Sequence, residues 1–361
     1  MIRNHNISGG ANTANTLETS FAQLPARGRS ARAPWSQSYW SFNSGGLQRR
    51  YQTNEKSYTI LTRAQVASMN QQQLNRLSPT EKYDILMNHL KDDVNDPGHF
   101  VATKTVRSYV QEEEAKGFEL GGFCHAYAPL AVHLEEPGSA IEENISHLGG
   151  KSLQFYSADI AALLTLNQHA TQRAALESGS YQEVGRRCPA VVANSGTGSP
   201  ILRDGSGCQS INAGTFHMIV TNQLGRLSQA LMIDTRKDLV VLNEMLHSYD
   251  LWSKTITDRG AGVFLQSAAA GTARVEEVVM TARFIASPRA VAINGRTPVE
   301  KVHTYKYRLE LDAAGKIIGG SWHKNSERPD FIWTVGITPK RSSLPRVFEL
   351  YEKSLSPLTL R

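Results

Sequence analysis

Gly121–Pro137 reads GGFCHAYAPLAVHLEEP and places Cys124, one of three cysteines in the chain, between a glycine pair and an apolar run. The glycines give the backbone freedom. Cys124-His125-Ala126-Tyr127 then starts a helix that ends before Pro137, with Pro129 bending it or shortening its regular part. A thiol at a helix N-terminus sees the positive end of the macrodipole, which favours a reactive thiolate. A small, buried structural cysteine is the other reading of the same residue.

On the N-terminal side, PWSQSYW (34–40) gathers Trp35, Tyr39 and Trp40; aromatics at that density anchor onto a folded body. SPTEKYDILMNHL (78–90) is a helix with its start written out: Ser78 at the N-cap, Pro79 at the first helical position, and Glu81 completing a capping box. On the C-terminal side, SADIAALLTL (157–166) is a second helix. Ser157 is its expected cap, Asp159 suits the dipole, and Ile160, Leu163 and Leu164 form an apolar stripe.

From about residue 210 the pattern turns to strands. TFHMIVTN (215–222) alternates, with Phe216, Met218 and Val220 on one face and His217 on the other, and SQALMID (228–234) follows. With the turn at Gly225–Arg226, His217 and Asp234 stand directly opposite, Cβ atoms about 4.5–5.5 Å apart. At that separation a carboxylate holds an imidazole in one tautomer; a one-residue slip would put the two on opposite faces. VHTYKYRLELDAAGKIIGGSW (302–322) is a hairpin turning at Asp312–Gly315. Helices first and strands later make the class α+β. Cysteine at a helix start, then histidine, then aspartate on adjacent strands is the chain order of papain-like and transglutaminase-like enzymes. The expected fold is therefore a papain-like/transglutaminase-like core, its nucleophile at a helix N-terminus packed on an antiparallel sheet, with additional C-terminal strands. His125 is at most supporting, since residues i and i+1 on a helix do not face each other; Asn243 is a rival orienter.

The 361 residues carry a net charge of +6. Residues 1–56 hold seven basic and two acidic side chains, so the rest is near neutral. Residues 1–33, polar and basic, read as a disordered leader; 34–361 are then the catalytic domain, β-rich from about 255 onward. No zinc-finger or RNP motif points to nucleic acid, no apolar run is long enough to span a membrane, and the N-terminus has no signal-peptide h-region. No CxxC or HExxH marks a metal site, and no EF-hand loop marks a calcium site. No cofactor is expected, and the need for calcium is open. Cys188 and Cys208 flank a Gly-, Ser- and Pro-rich loop. Their spacing fits a disulfide worth about 3 kcal/mol in an oxidising compartment, or two thiols in a reducing one.

Taken together, PWSQSYW, SPTEKYDIL, GGFCHAYAPLAVHLEEP, QFYSADIAALL, GRRC, CQSINAGTFHMIVTNQLG, MIDTRKDLVVLNE, YKYRLELDAAGKIIGGSW and RPDFIW resemble, in order, the transglutaminase elicitor family, whose best-known members are oomycete cell-wall transglutaminases. The resemblance runs from about residue 34 to about residue 333, with residues 1–33 outside it. It implies Cys124 as nucleophile, His217 in the family's GTFH segment as base, and a disulfide between Cys188 and Cys208. It also implies a protein-glutamine γ-glutamyltransferase, acting on glutamine side chains of proteins with lysine or other primary amines as donors. Such a protein is secreted, or translocated as an effector. Two departures stand out. The family's CHGW reads Cys124-His125-Ala126-Tyr127, so Tyr127 alters a wall of the site. Its plant-perceived VWNQP reads Val241-Leu242-Asn243-Glu244-Met245, so elicitor activity is not expected. A papain-like protease or glutamine deamidase would use the same three residues, and a non-catalytic secreted recognition protein is the remaining alternative.

Overall fold

The computed structural model describes residues 17–92, 101–115, 121–177, 181–185, 211–235, 241–256, 268–288, 291, 293–294, 297–335 and 344–355. Helices and an antiparallel sheet are both present, as expected. The chain divides into two compact units, each assembled from three stretches: residues 1–34, 175–286 and 300–336 in one, and 35–174, 287–299 and 337–361 in the other. One domain from residue 34 onward was the expectation.

The second unit carries most of the helices: α1 (Arg63–Ser68), α2 (Gln71–Asn75), α3 (Pro79–Leu86), α4 (Ala102–Ala115), α5 (Cys124–His133), α6 (Ser157–Glu177) and α8 (Val347–Leu355), with a hairpin of β2 (Ile141–Ile145) and β3 (Lys151–Phe155). The first three helices each begin with a reciprocal capping box: Thr62 with Gln65, Asn70 with Gln73, Ser78 with Glu81. These satisfy amides that a short helix would otherwise leave orphaned. The start of α6 differs from expectation. Ser157 is already helical, and its hydroxyl donates to the Ile293 carbonyl. Asp159 takes the cap's task, accepting from Tyr156 N at 2.8 Å. The same carboxylate meets Lys82 Nζ at 2.6 Å, both side chains fully buried. Burial pushes the lysine's pKa down and the aspartate's up, while their attraction opposes both shifts.

The first unit is built on one eight-stranded sheet. Its path runs β4 (Tyr181–Gly185), β10 (Phe331–Val335), β5 (Leu231–Asp234), β6 (Asn243–Thr255), β7 (Arg274–Ala286), β8 (Val299–Leu311), β9 (Ile317–Trp322), and β1 (Arg27–Arg29) pairs with β6 off that path. The leader expectation thus fails for residues 17–33, because Arg27 and Arg29 stand in register with Asp250 and Ser248. The expected β8–β9 hairpin is present. Asp312 Oδ1 accepts from Ala314 N and Lys316 N, both at 2.9 Å, and Gly315 takes a φ of +76° that suits glycine.

Helix α7 (Ala213–Val220) lies in this unit where a strand was expected. Asn212 caps it, accepting from Gly214 N at 2.8 Å. Nearly every side chain from Ala213 to Val220 is buried. A short segment that is apolar all round carries no usable period, so alternation misleads there. The helix backbone presses on β9: a Cβ on Gly214 would come within 2.6 Å of the Gly319 carbonyl oxygen. After Val220 the helix widens into a π-helical segment, Thr221–Arg226, so the expected hairpin at Gly225–Arg226 does not form. Among the described residues, no helix is long and apolar enough to cross a membrane.

Candidate active site

Cys124 is the first residue of α5. It is half-buried and is a thiol outside any disulfide. Backbone bonds fix the approach: Phe123 N donates to Tyr39 O at 2.8 Å and Phe42 N to Gly121 O at 2.9 Å. Gly122 serves close approach rather than freedom, since a Cβ there would sit 2.6 Å from the Tyr39 ring. Trp35 and Trp40 of PWSQSYW are buried in the folded body, as expected, and there they meet α5. Tyr127 packs edge-on against Trp35 and Trp40, at 5.0 and 6.0 Å between ring centroids, and its hydroxyl donates to Trp35 O. Tyr127 is fully buried, so it anchors α5 from inside rather than forming a wall of a site. Pro129 lies within α5 and, lacking an N–H, leaves the His125 carbonyl without its usual i+4 donor.

His125 Nε2 and His169 Nδ1 share a hydrogen bond of 2.8 Å. Tyr109 and Phe123 stand edge-on to the His169 ring, at 4.4 and 5.2 Å. Burial lowers the pKa to about 4 for His125 and about 3 for His169. Both imidazoles are therefore neutral near pH 7. His169 was not singled out in the sequence, and no local pattern joins it to His125, 44 positions away.

His217 and Asp234 lie in the other unit. His217 is on α7, fully buried, and its Nδ1 meets Tyr307 Oη at 2.8 Å. Among the described residues its Nε2 has no hydrogen-bond partner, and burial lowers its pKa to about 3. Asp234, on β5, faces Asn243 on β6 and Phe331 on β10. Its Oδ1 accepts from Leu242 N at 2.9 Å, while Asn243 Oδ1 accepts from Trp333 Nε1 at 2.8 Å. The structure thus brings Asp234 and Asn243 together but hydrogen-bonds neither to His217. The group that holds the His217 ring is Tyr307. The hairpin alternation that turns Tyr305, Tyr307 and Leu309 inward is the signal that could have pointed to it, because a buried phenol seeks a partner. Cys188 and Cys208 lie outside the described residues. Among the described residues, no group of three or more His, Cys, Asp or Glu side chains is placed to hold a metal ion.

A sequence model of the transglutaminase elicitor family matches residues 11–354. The chain belongs to that family. The match begins within the segment expected to lie outside it. The fold is similar to the crystal structure of the GP42 transglutaminase from Phytophthora sojae, with a TM-score of 0.61, 18% identity, and 94% of each chain covered. No curated protein sequence matches this member of the family.

Proposed function

We propose that this chain is a cysteine-dependent protein-glutamine γ-glutamyltransferase with Cys124 as nucleophile. The observation that carries the reading is the half-buried thiol at the first position of α5 in a chain of the transglutaminase elicitor family. A neutral histidine takes the Cys124 thiol proton, the thiolate attacks the carbon of a glutamine γ-carboxamide, and first-turn amides of α5 stabilise the oxyanion. The C–N bond breaks, ammonia leaves with a proton from a histidine, and a thioester remains. A lysine amine then attacks the thioester carbon, an isopeptide bond forms, and the thiol is regenerated with its proton. The partners are proteins that present glutamine side chains, and lysine or other primary amines as donors.

The expected proton carrier is His217, which is neutral near pH 7 and which burial makes costly to protonate. Tyr307, in place of the expected Asp234, holds its ring. A second assignment is favoured by the His125–His169 hydrogen bond, which puts a neutral imidazole pair in the same unit as Cys124. Water in place of the amine gives deamidation, and a backbone amide in place of glutamine gives proteolysis.

The test is incorporation of a labelled primary amine into a glutamine-rich protein by wild type and Cys124→Ala, with ammonia measured in parallel. Transfer through Cys124 predicts incorporation in wild type and a loss of about a thousandfold or more in the variant. Ammonia without incorporation identifies a deamidase. Neither product, or full activity in Cys124→Ala, overturns the reading.

A further inference from the structure

The sheet unit carries a cleft of about 460 Å³ lined by Arg27, Arg29, His247, Asp250, Arg283 and Glu300. Its charges are ordered by strand register. Arg29 on β1 faces Ser248 on β6, and Ser248 faces Arg283 on β7. Arg27 faces Asp250 one row along. Backbone close approach holds β1 there: a Cβ on Gly28 would meet the Gly225 Cα at 2.7 Å.

Two of the basic groups already have partners. Arg283 Nη1 binds Asp250 Oδ2 at 2.7 Å, and His247 Nε2 binds Glu300 Oε2 at 2.9 Å. Both carboxylates on the walls are thereby engaged. Arg27 and Arg29 are exposed, and among the described residues neither guanidinium forms an ion pair or a side-chain hydrogen bond. Two planar forks two residues apart on one strand point to the same side and match the geometry of a carboxylate or phosphate. With His247 neutral, three arginines against two carboxylates leave the cleft one positive charge in surplus. That suits a single small anion and not a long polyanion.

We infer that this cleft is an oxyanion-binding site, in which Arg27 and Arg29 grip a carboxylate or phosphate group carried by a ligand of small-molecule size. The site is independent of the Cys124 chemistry, so failure of either leaves the other standing. Arg27 and Arg29 belong to the basic N-terminal segment, and the pairing of β1 with β6 gives their charge a defined place.

The test is calorimetric titration of the full chain with inorganic phosphate and, separately, with succinate, at constant ionic strength. Saturable binding of either is expected, and the two arms separate phosphate from carboxylate as the preferred group. Arg27→Gln/Arg29→Gln is expected to weaken binding at least tenfold, and Arg27→Lys/Arg29→Lys to fall between it and wild type. Arg274→Gln, altering an arginine paired with Glu276 elsewhere in this unit, is expected to leave binding unchanged. A second readout needs no variant: phenylglyoxal labelling of Arg27 and Arg29, mapped by peptide mass, is expected to slow in the presence of the bound anion. No saturable binding of either anion, equal affinity in the glutamine double variant, or labelling at unchanged rate would overturn the assignment.

Discussion

The helix that begins at Cys124 and the helix that carries His217 are built by opposite means. Helix α5 has no side-chain cap and is held by backbone bonds from the segment around Tyr39 and Phe42. Its first residue stays half-exposed. Helix α7 is capped by Asn212, pressed on β9 through glycines, and seals His217 completely. An open helix start keeps a thiol within reach of a substrate. A sealed helix keeps an imidazole neutral but makes the imidazolium that a base must become costly to form. The proposal of Cys124 as nucleophile draws on that local geometry, and the choice of base is decided by substitution.

The largest expected effect comes from a pair of histidine substitutions. If His217 carries the proton, His217→Gln lowers amine incorporation by about a hundredfold to ten-thousandfold, while His125→Gln changes it little. The reverse ranking moves the base to the His125–His169 pair. Melting temperatures recorded beside the rates separate loss of chemistry from loss of fold.

The next effect concerns stability of the helical unit. Asp159→Asn leaves the Lys82 ammonium buried without its counter-charge and is expected to cost about 3–5 kcal/mol in denaturant unfolding. Replacing both partners, Lys82→Met with Asp159→Leu, is expected to recover most of that loss. Equal destabilisation by the single and double variants would show that the pair does not act as a unit.

A smaller effect should appear with pH. Asp84 is buried and accepts from the first amides of α4, Ala102 N at 2.7 Å and Thr103 N at 2.9 Å. Burial nonetheless raises its pKa to about 7, above the ordinary value of 3.8. Folding takes up a proton between those values, so its contribution makes stability fall as pH rises from about 4 to 7 and level off above. Asp84→Asn is expected to remove that slope, read as the difference between wild-type and variant unfolding curves. An unchanged slope would mean that Asp84 is ionised throughout.

What the sequence made legible was local. The capping box at Ser78, the Asp312 turn and the helix start at Cys124 each depend on residues within five positions, so their chemistry can be read directly. The nature of α7 was hidden because Phe216, Met218 and Val220 are buried together with the residues between them, and a strand and a buried helix then look alike. The pairing of Arg27–Arg29 with β6 was hidden for another reason. It joins segments more than 200 positions apart through a strand of three residues with no apolar alternation. Asp234 was expected opposite His217; its neighbours are instead Asn243 and Phe331, set by a sheet order that no local pattern encodes.

The acyl intermediate proposed on Cys124 can be observed directly. The most direct measurement is intact and peptide mass after brief reaction with a glutamine-containing peptide and acid quench, without added amine. Acyl transfer through Cys124 predicts an adduct equal to the peptide less ammonia, located on the fragment containing Gly121–Pro137 and absent from Cys124→Ala. An adduct on another residue, or amine transfer with no adduct on Cys124 at any time, would contradict it.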